Sequence, residues 1–300
     1  MLKIAWSKEY NHPLPPGHRF PMEKYDLLPE QLLHEGTIEE SNLFAPGMPT
    51  EEVLLSVHKQ HYLQKLHQLD FTRQEERKSG FPISKELVIR EQVIIAGTIE
   101  AALFALQYGV AMNIAGGTHH AYSDRAEGFC LLNDQAIAAQ YLLDYDLAKQ
   151  ILIIDLDVHQ GNGTAEIFES ESNVFTFSMH GEKNYPMKKE RSDLDVPLPD
   201  GTGDLEYLKL LDQHLNKLMD TVQPDFIFFQ SGVDVLASDK LGRLGLTISG
   251  CKERDRKVLN IAKSNNIPLV ASMGGGYSQD IRQILEAHAN TYRLAQEIFF

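Results

Sequence analysis

The segment Ile151-Leu152-Ile153-Ile154-Asp155-Leu156-Asp157-Val158-His159-Gln160-Gly161-Asn162-Gly163 carries the strongest signal of the chain's architecture. It opens on a run of apolar residues without polar alternation, the pattern of a strand buried on both faces. It ends in acids, an imidazole and glycines, so polar chemistry begins where the strand stops. Further short apolar runs occur at Leu2–Trp6, Val110–Ala115, Asn173–Met179, Asp225–Gln230 and Ile267–Met273. Between them lie segments of helical period at Ser84–Tyr108, Leu131–Asp144, Gly203–Val222, Ser249–Asn265 and Ser278–Ile298. In the third, Leu205, Leu208, Leu211, Leu215 and Leu218 form one apolar stripe. Strands alternating with helices imply crossover connections and a mainly parallel sheet between two helical layers. The expected class is therefore α/β, a three-layer αβα architecture. No repeat or change of composition divides residues 1–300, so one domain is expected. Sheets of this kind bind ligands beyond the carboxyl ends of their strands.

Composition narrows the function. The chain has 300 residues, 43% hydrophobic, with 28 Lys+Arg against 42 Asp+Glu and a net charge of −14. An acidic surplus disfavours nucleic-acid binding and anionic membranes, which need a basic face. It fits cationic substrates in general without selecting among them. Cys130 and Cys251 cannot make a disulfide framework, which fits a reducing compartment. MLKIAWSKEY has no signal-peptide pattern, and no later stretch is apolar enough to cross a bilayer. A cytoplasmic protein is expected, with its oligomeric state open.

The candidate chemistry lies just after the predicted strands. If the first strand stays extended, alternation puts Asp155, Asp157 and His159 on one face. Buried carboxylates need hydrogen bonds or a cation, and Asp and His two residues apart on a rigid strand end suit a metal. The plainer alternative is a turn whose acids cap the next helix. Asp234, in Ser231-Gly232-Val233-Asp234, is the candidate third ligand, although an Asp there is often only a helix cap. Two carboxylates and one imidazole suit Zn²⁺ and do not exclude Fe²⁺. Two anionic ligands acidify a metal-held water less than neutral ones, so a separate base is needed. Gly116-Gly117-Thr118-His119-His120 offers one, with Asp155 and Asn162 as candidates to fix the two imidazole tautomers. Gly274-Gly275-Gly276-Tyr277 offers a phenol to donate to a developing oxyanion. His58, His67, His214 and His288 sit in helical patterns and receive no role.

With these clusters in chain order, the sequence resembles the histone deacetylase superfamily, within the arginase/deacetylase fold. The resemblance runs from HPLPPGHRFP at His12–Pro21 to the GGGY of Gly274–Tyr277, through GGTHH, GFCLLND at Gly128–Asp134, DLDVHQGNG and SGVD. It is nearest the class IV branch, through HQGNG and the stretch Asp239-Lys240-Leu241-Gly242-Arg243-Leu244. The resemblance implies a zinc-dependent hydrolase that removes acetyl or long-chain acyl groups from lysine ε-amines. Deacetylation of small amines such as acetylpolyamines is the first alternative, and a non-catalytic acyl-lysine-binding module the second. It also implies that Asp157, His159 and Asp234 bind zinc and that His120 is the general base, with His119 its electrostatic neighbour. Asp155 then stands behind His119 and a neutral Asn162 behind His120, while Tyr277 polarises the carbonyl. Gly128 and Phe129 would wall the acyl-lysine tunnel, and Arg19 would line an inner channel. A structural K⁺ would be held by main-chain oxygens at Asp155, Asp157, His159, Ser178 and Met179. A rim acid that grips substrate backbone in some members has no counterpart in Ser79-Gly80-Phe81-Pro82. The two-metal pattern of the arginase branch is missing too, since Gln160-Gly161 follows His159 and Val235-Leu236 follows Asp234.

Overall fold

A computed structural model describes all 300 residues. Eight strands, all parallel, form one sheet. They are β1 (Lys3–Ala5), β2 (Leu43–Phe44), β3 (Val110–Asn113), β4 (Ile151–Asp155), β5 (Val174–Gly181), β6 (Leu194–Leu198), β7 (Phe226–Gln230) and β8 (Leu269–Ser272). Their spatial order is β2-β1-β3-β8-β7-β4-β5-β6. The helices are α1 (Lys24–His34), α2 (Glu51–Leu55), α3 (Gln60–Gln68), α4 (Arg73–Ser79), α5 (Lys85–Tyr108), α6 (Asp134–Asp144), α7 (Asn162–Ile167), α8 (Asp204–Val222), α9 (Ile248–Ser264) and α10 (Ile281–Phe299). On one side α5 lies against β1, β3 and β8 and packs on α6. A second helical group packs as a chain, α8 on α9, α9 on α10, and α10 on α1.

Local signals set the element ends. Ser84 caps α5, its hydroxyl accepting from Leu87 N–H at 3.1 Å, and Gly109 closes the helix in a left-handed conformation. The central strands β3, β4, β7 and β8 are buried throughout, as continuous apolar runs require. The expected strands and helices are all present. The two edge strands β2 and β6 carry no such run, because an edge strand needs little burial, and they escape sequence reading.

Three local expectations need correction. The stripe on α8 buries Tyr207, Leu211, Leu215 and Leu218, while Leu205 is 87% exposed in the first turn. His58 lies between α2 and α3 and not in a helix; it is buried, and its Nε2 accepts from the Asn133 N–H. Leu131–Asn133 belong to a loop, and α6 begins at Asp134 with the Asn133 side chain as its cap. Both cysteines are buried and unpaired. No helix is long and apolar enough to cross a membrane.

The four central strands end in register. Asn113 pairs with Ser272, Ser272 with Gln230, and Gln230 with Asp155. This polar row lies along the carboxyl edge, where the apolar runs stop.

Candidate active site

Four loops leave that row from β3, β8, β7 and β4, which are neighbours in the sheet. They bring His119 and His120, Gly274–Tyr277, Asp234, and Asp157 with His159 to one place. The strand β4 ends at Asp155, so extended alternation does not carry through to His159. A turn separates the roles: Asp155 faces His119, while Asp157 and His159 face Asp234.

Asp157, His159 and Asp234 are buried, and a donor atom from each lies within 4.8 Å of the others. His159 Nδ1 is 3.0 Å from Asp157 Oδ1 and 3.1 Å from Asp234 Oδ2. Backbone amides hold both acids in place. Asp157 Oδ2 accepts from Gly275 N–H at 3.0 Å, and Asp234 Oδ1 from Val158 N–H at 3.0 Å. Burial alone would lower the His159 pKa, but the two carboxylates lift it to about 10. A proton thus sits where a divalent cation would balance the same pair. Gly275 passes so close that a Cβ there would land on the carboxylates of Asp234 and Asp157. The donor set and this reserved space fit one divalent metal.

The two adjacent imidazoles are stacked obliquely, with centroids 4.1 Å apart, and differ in environment. His119 Nδ1 donates to Asp155 Oδ2 at 2.6 Å. Burial opposes its charge, yet Asp155 and Asp157 raise its pKa to about 8. His120 Nδ1 is 2.6 Å from Asn162 Oδ1, and the Asn162 amide nitrogen donates to the Tyr122 hydroxyl at 2.9 Å. That orientation puts the His120 proton on Nδ1 and leaves Nε2 bare. Burial, and then the neighbouring His119 and His159, push the His120 pKa well below the usual value. The pair is split into one cationic and one neutral ring.

Tyr277 is partly exposed and stands beside Phe129, with ring centroids 5.9 Å apart. Burial, and then the carboxylates of Asp234 and Asp157, raise the pKa of its phenol, which stays protonated. Asp239 accepts from the Tyr277 amide at 2.6 Å, and buried Lys24 donates to Gly274 O at 3.0 Å. The glycine loop is therefore tethered at both ends. Two adjoining spaces share His120, Gly128, Phe129, His159 and Tyr277 in their walls. The outer is a cavity of about 430 Å³ reaching solvent between Gly128, Phe129, Tyr185 and Tyr277. The inner is only about 30 Å³, under His120 and Tyr277, and is walled by Phe20, Tyr25, Arg90 and Cys130.

The sequence profile of the histone deacetylase domain matches residues 18–292. The chain belongs to the histone deacetylase family. It is 42% identical over 296 residues to a protein of Picosynechococcus sp. described as uncharacterised, with 99% of both chains covered. It is 30% identical to histone deacetylase 2 of Arabidopsis thaliana, covering 89% of this chain and 72% of the relative. The crystal structure of a histone deacetylase homologue from Aquifex aeolicus superposes with a TM-score of 0.84 at 26% identity, covering 98% of this chain and 84% of that one. Membership in the histone deacetylase family supports acyl-amide hydrolysis as the reaction class.

Of the expected site residues, the fold gathers Asp155, Asp157, His159, Asn162, Asp234, His119, His120, Tyr277, Gly128 and Phe129 around these spaces. Arg19 stands elsewhere than expected. It lies at the outer mouth, its guanidinium 4.9 Å from the Phe129 ring centre, and the arginine of the inner space is buried Arg90. His288, given no role, is buried against Gly276. Sequence reading also missed Lys24, Asp134, Asp239 and Arg254. Asp134 and Asp239 do carry a visible signal, since one ends the GFCLLND motif and the other opens the stretch Asp239–Leu244.

Proposed function

We propose that this deacetylase-family protein is a metal-dependent hydrolase that removes short acyl groups, of acetyl size, from the ε-amine of lysine. The observation that carries this reading is the placement of His120, Tyr277 and the Asp157–His159–Asp234 cluster around one cavity. Those three side chains would hold Zn²⁺, with Fe²⁺ as the chemical alternative. When bound, the ion supplies Lewis acidity toward the carbonyl and the attacking water.

Everything else falls to the chain. The bare Nε2 of His120 takes a proton from water as it attacks the acyl carbon, and Asn162 keeps the other nitrogen protonated. The Tyr277 hydroxyl donates to the carbonyl oxygen as negative charge develops there. His120 then passes its proton to the departing amine, and the products are a carboxylate and a free amine. His119, ionised beside Asp155, adds positive charge next to the reacting centre and keeps His120 from protonating early. A K⁺ held by main-chain oxygens at Asp155, Asp157, His159, Ser178 and Met179 belongs to the same reading. It would brace β4 against β5, where Asp155 pairs with Ser178.

Acyl length follows from volume. The inner space, about 30 Å³, has room for roughly two waters. Such a space suits an acetyl methyl better than a fatty chain, so of the two acyl classes the reading favours acetyl. The test is hydrolysis of matched acetyl-lysine and myristoyl-lysine peptides by metal-loaded protein. Turnover of the acetyl peptide is expected, reduced about 10²–10⁴-fold in His120→Ala. Absence of turnover on every acyl-lysine peptide, with metal bound, would overturn the proposal.

A further inference from the structure

Three cations border the mouth of the outer cavity: Arg19, Arg77 and Lys78. All are exposed, and none forms a salt bridge. The one acid at the mouth, Glu127, is already engaged by Arg125 at 3.7 Å and by the Tyr185 hydroxyl. The cations do not sit on a loose loop. Arg77 and Lys78 form the last turn of α4, and the carbonyls of Lys78 and Ser79 accept from Gly128 N–H at 3.0 Å and Phe129 N–H at 2.7 Å. The end of α4 is thus stitched to the wall of the cavity. The Arg19 guanidinium is stacked on Phe129 of the same wall.

This local excess opposes the charge of the molecule, which is −14 overall. Like charges repel when gathered without counter-ions, and an acidic chain has many carboxylates with which to pair them. Cations left unpaired and fixed at the entrance to a reaction site attract an anionic substituent and repel a cationic one. The chain also has no acid in Ser79–Pro82, beside these cations.

We propose that the mouth selects acylated amines that carry a carboxylate close to the acyl-amine, and rejects polycationic ones such as acylated polyamines. This rests on the acyl-amide hydrolysis proposed above. The carboxylate has two sources of the same chemistry: acidic residues flanking an acyl-lysine in a peptide, or the α-carboxylate of a free acyl-amino acid.

The experiment compares four substrates on metal-loaded protein at low salt: an acetyl-lysine peptide flanked by Glu, the same peptide flanked by Lys, an Nα-blocked Nε-acetyl-lysine with its carboxylate free, and an N-acetyldiamine. Weak pairing to three exposed cations leads us to expect KM about tenfold lower for the Glu peptide than for the Lys peptide. The gap should close as ionic strength rises. The double substitution Arg77→Glu with Lys78→Glu should invert the order, whereas Lys209→Glu on α8, which changes the net charge away from the mouth, should leave it unchanged. Preference for the Glu peptide over the free acyl-amino acid assigns the carboxylate to a protein segment, and the reverse assigns it to a small molecule. Equal KM values, or preference for the Lys peptide or the diamine, would overturn the proposal. If none of the four is hydrolysed, it is the reaction assignment that fails. Calorimetric Kd values for the two peptides on the His120→Ala protein then still decide the charge preference, and equal values reject it.

Discussion

In the proposed mechanism, Asn162 sets the working pH range of His120. A neutral amide fixes the His120 tautomer without stabilising its charge. Replacing it with a carboxylate favours the protonated imidazole and raises the His120 pKa. Because the unprotonated ring is the proposed base, the rising limb of kcat/KM against pH should move to higher pH in Asn162→Asp. An unmoved limb would detach Asn162 from the base. At His159 the sign concerns metal binding. With a pKa of about 10 in the metal-free site, the ring is protonated at neutral pH and a metal must displace that proton. Metal affinity should therefore increase as pH rises toward that value. Calorimetric titrations in two buffers of different ionisation enthalpy should report a proton released on binding, and buffer-independent heats would refute this. Gly275→Ala should abolish high-affinity metal binding, since its Cβ would collide with Asp234 and Asp157. Dialysis against metal followed by elemental analysis is the check.

At the scale of elements, helices that supply no reacting group hold the loops that do. Arg254 on α9 is fully buried, pairs with Asp255, and donates to the carbonyls of Leu156 at 3.2 Å, Ser231 at 3.1 Å and Gly232 at 2.6 Å. It thus clamps the ends of β4 and β7, from which Asp157 and Asp234 emerge. Arg254→Met leaves Asp255 charged without its partner and should destabilise the fold by about 3–5 kcal/mol. Arg254→Lys keeps a charge but lacks the guanidinium fork, so it should retain more stability and still bind metal more weakly. Chemical denaturation and metal titration together separate these effects. Unaltered metal affinity in a folded Arg254→Lys protein would contradict the clamp. Asp134, at the start of α6, plays the matching part for the His119–His120 loop. Its carboxylate accepts from Thr118 N–H at 2.8 Å and from the hydroxyls of Thr118, Thr98 and Ser272.

The whole molecule decides what reaches the centre. The inner space is lined by Phe20 before α1, Tyr25 on α1, Arg90 on α5 and Cys130 in the loop before α6, so its size depends on how distant segments pack. A myristoyl-lysine peptide should be turned over less efficiently than its acetyl counterpart, because a fatty chain would have to displace these packed walls. Comparable kcat/KM values would mean that these walls move. Much of this architecture is legible in the residues. Continuous apolar runs mark the buried strands because burial on both faces leaves no room for polar alternation, and the polar clusters follow them because a carboxyl edge is where backbone and side chains meet solvent and ligand. The edge strands β2 and β6 were not legible, since exposed pairing makes little demand on composition. Nor were Lys24, Arg90 and Arg254, because a buried cation looks like a surface one until its carbonyl partners, contributed by other elements, are known.

Hydrophobic pattern and side-chain chemistry are local properties, so the α/β class, the buried strands and the identity of the residues at their ends can be read along the chain. That β3, β8, β7 and β4 lie side by side, that Arg19 stands at the mouth and Arg90 inside, and that the inner space is small emerge only in the folded molecule. Strand order, cavity volume and the pairing of charges arise from contacts between residues far apart in the chain, and no local pattern encodes them.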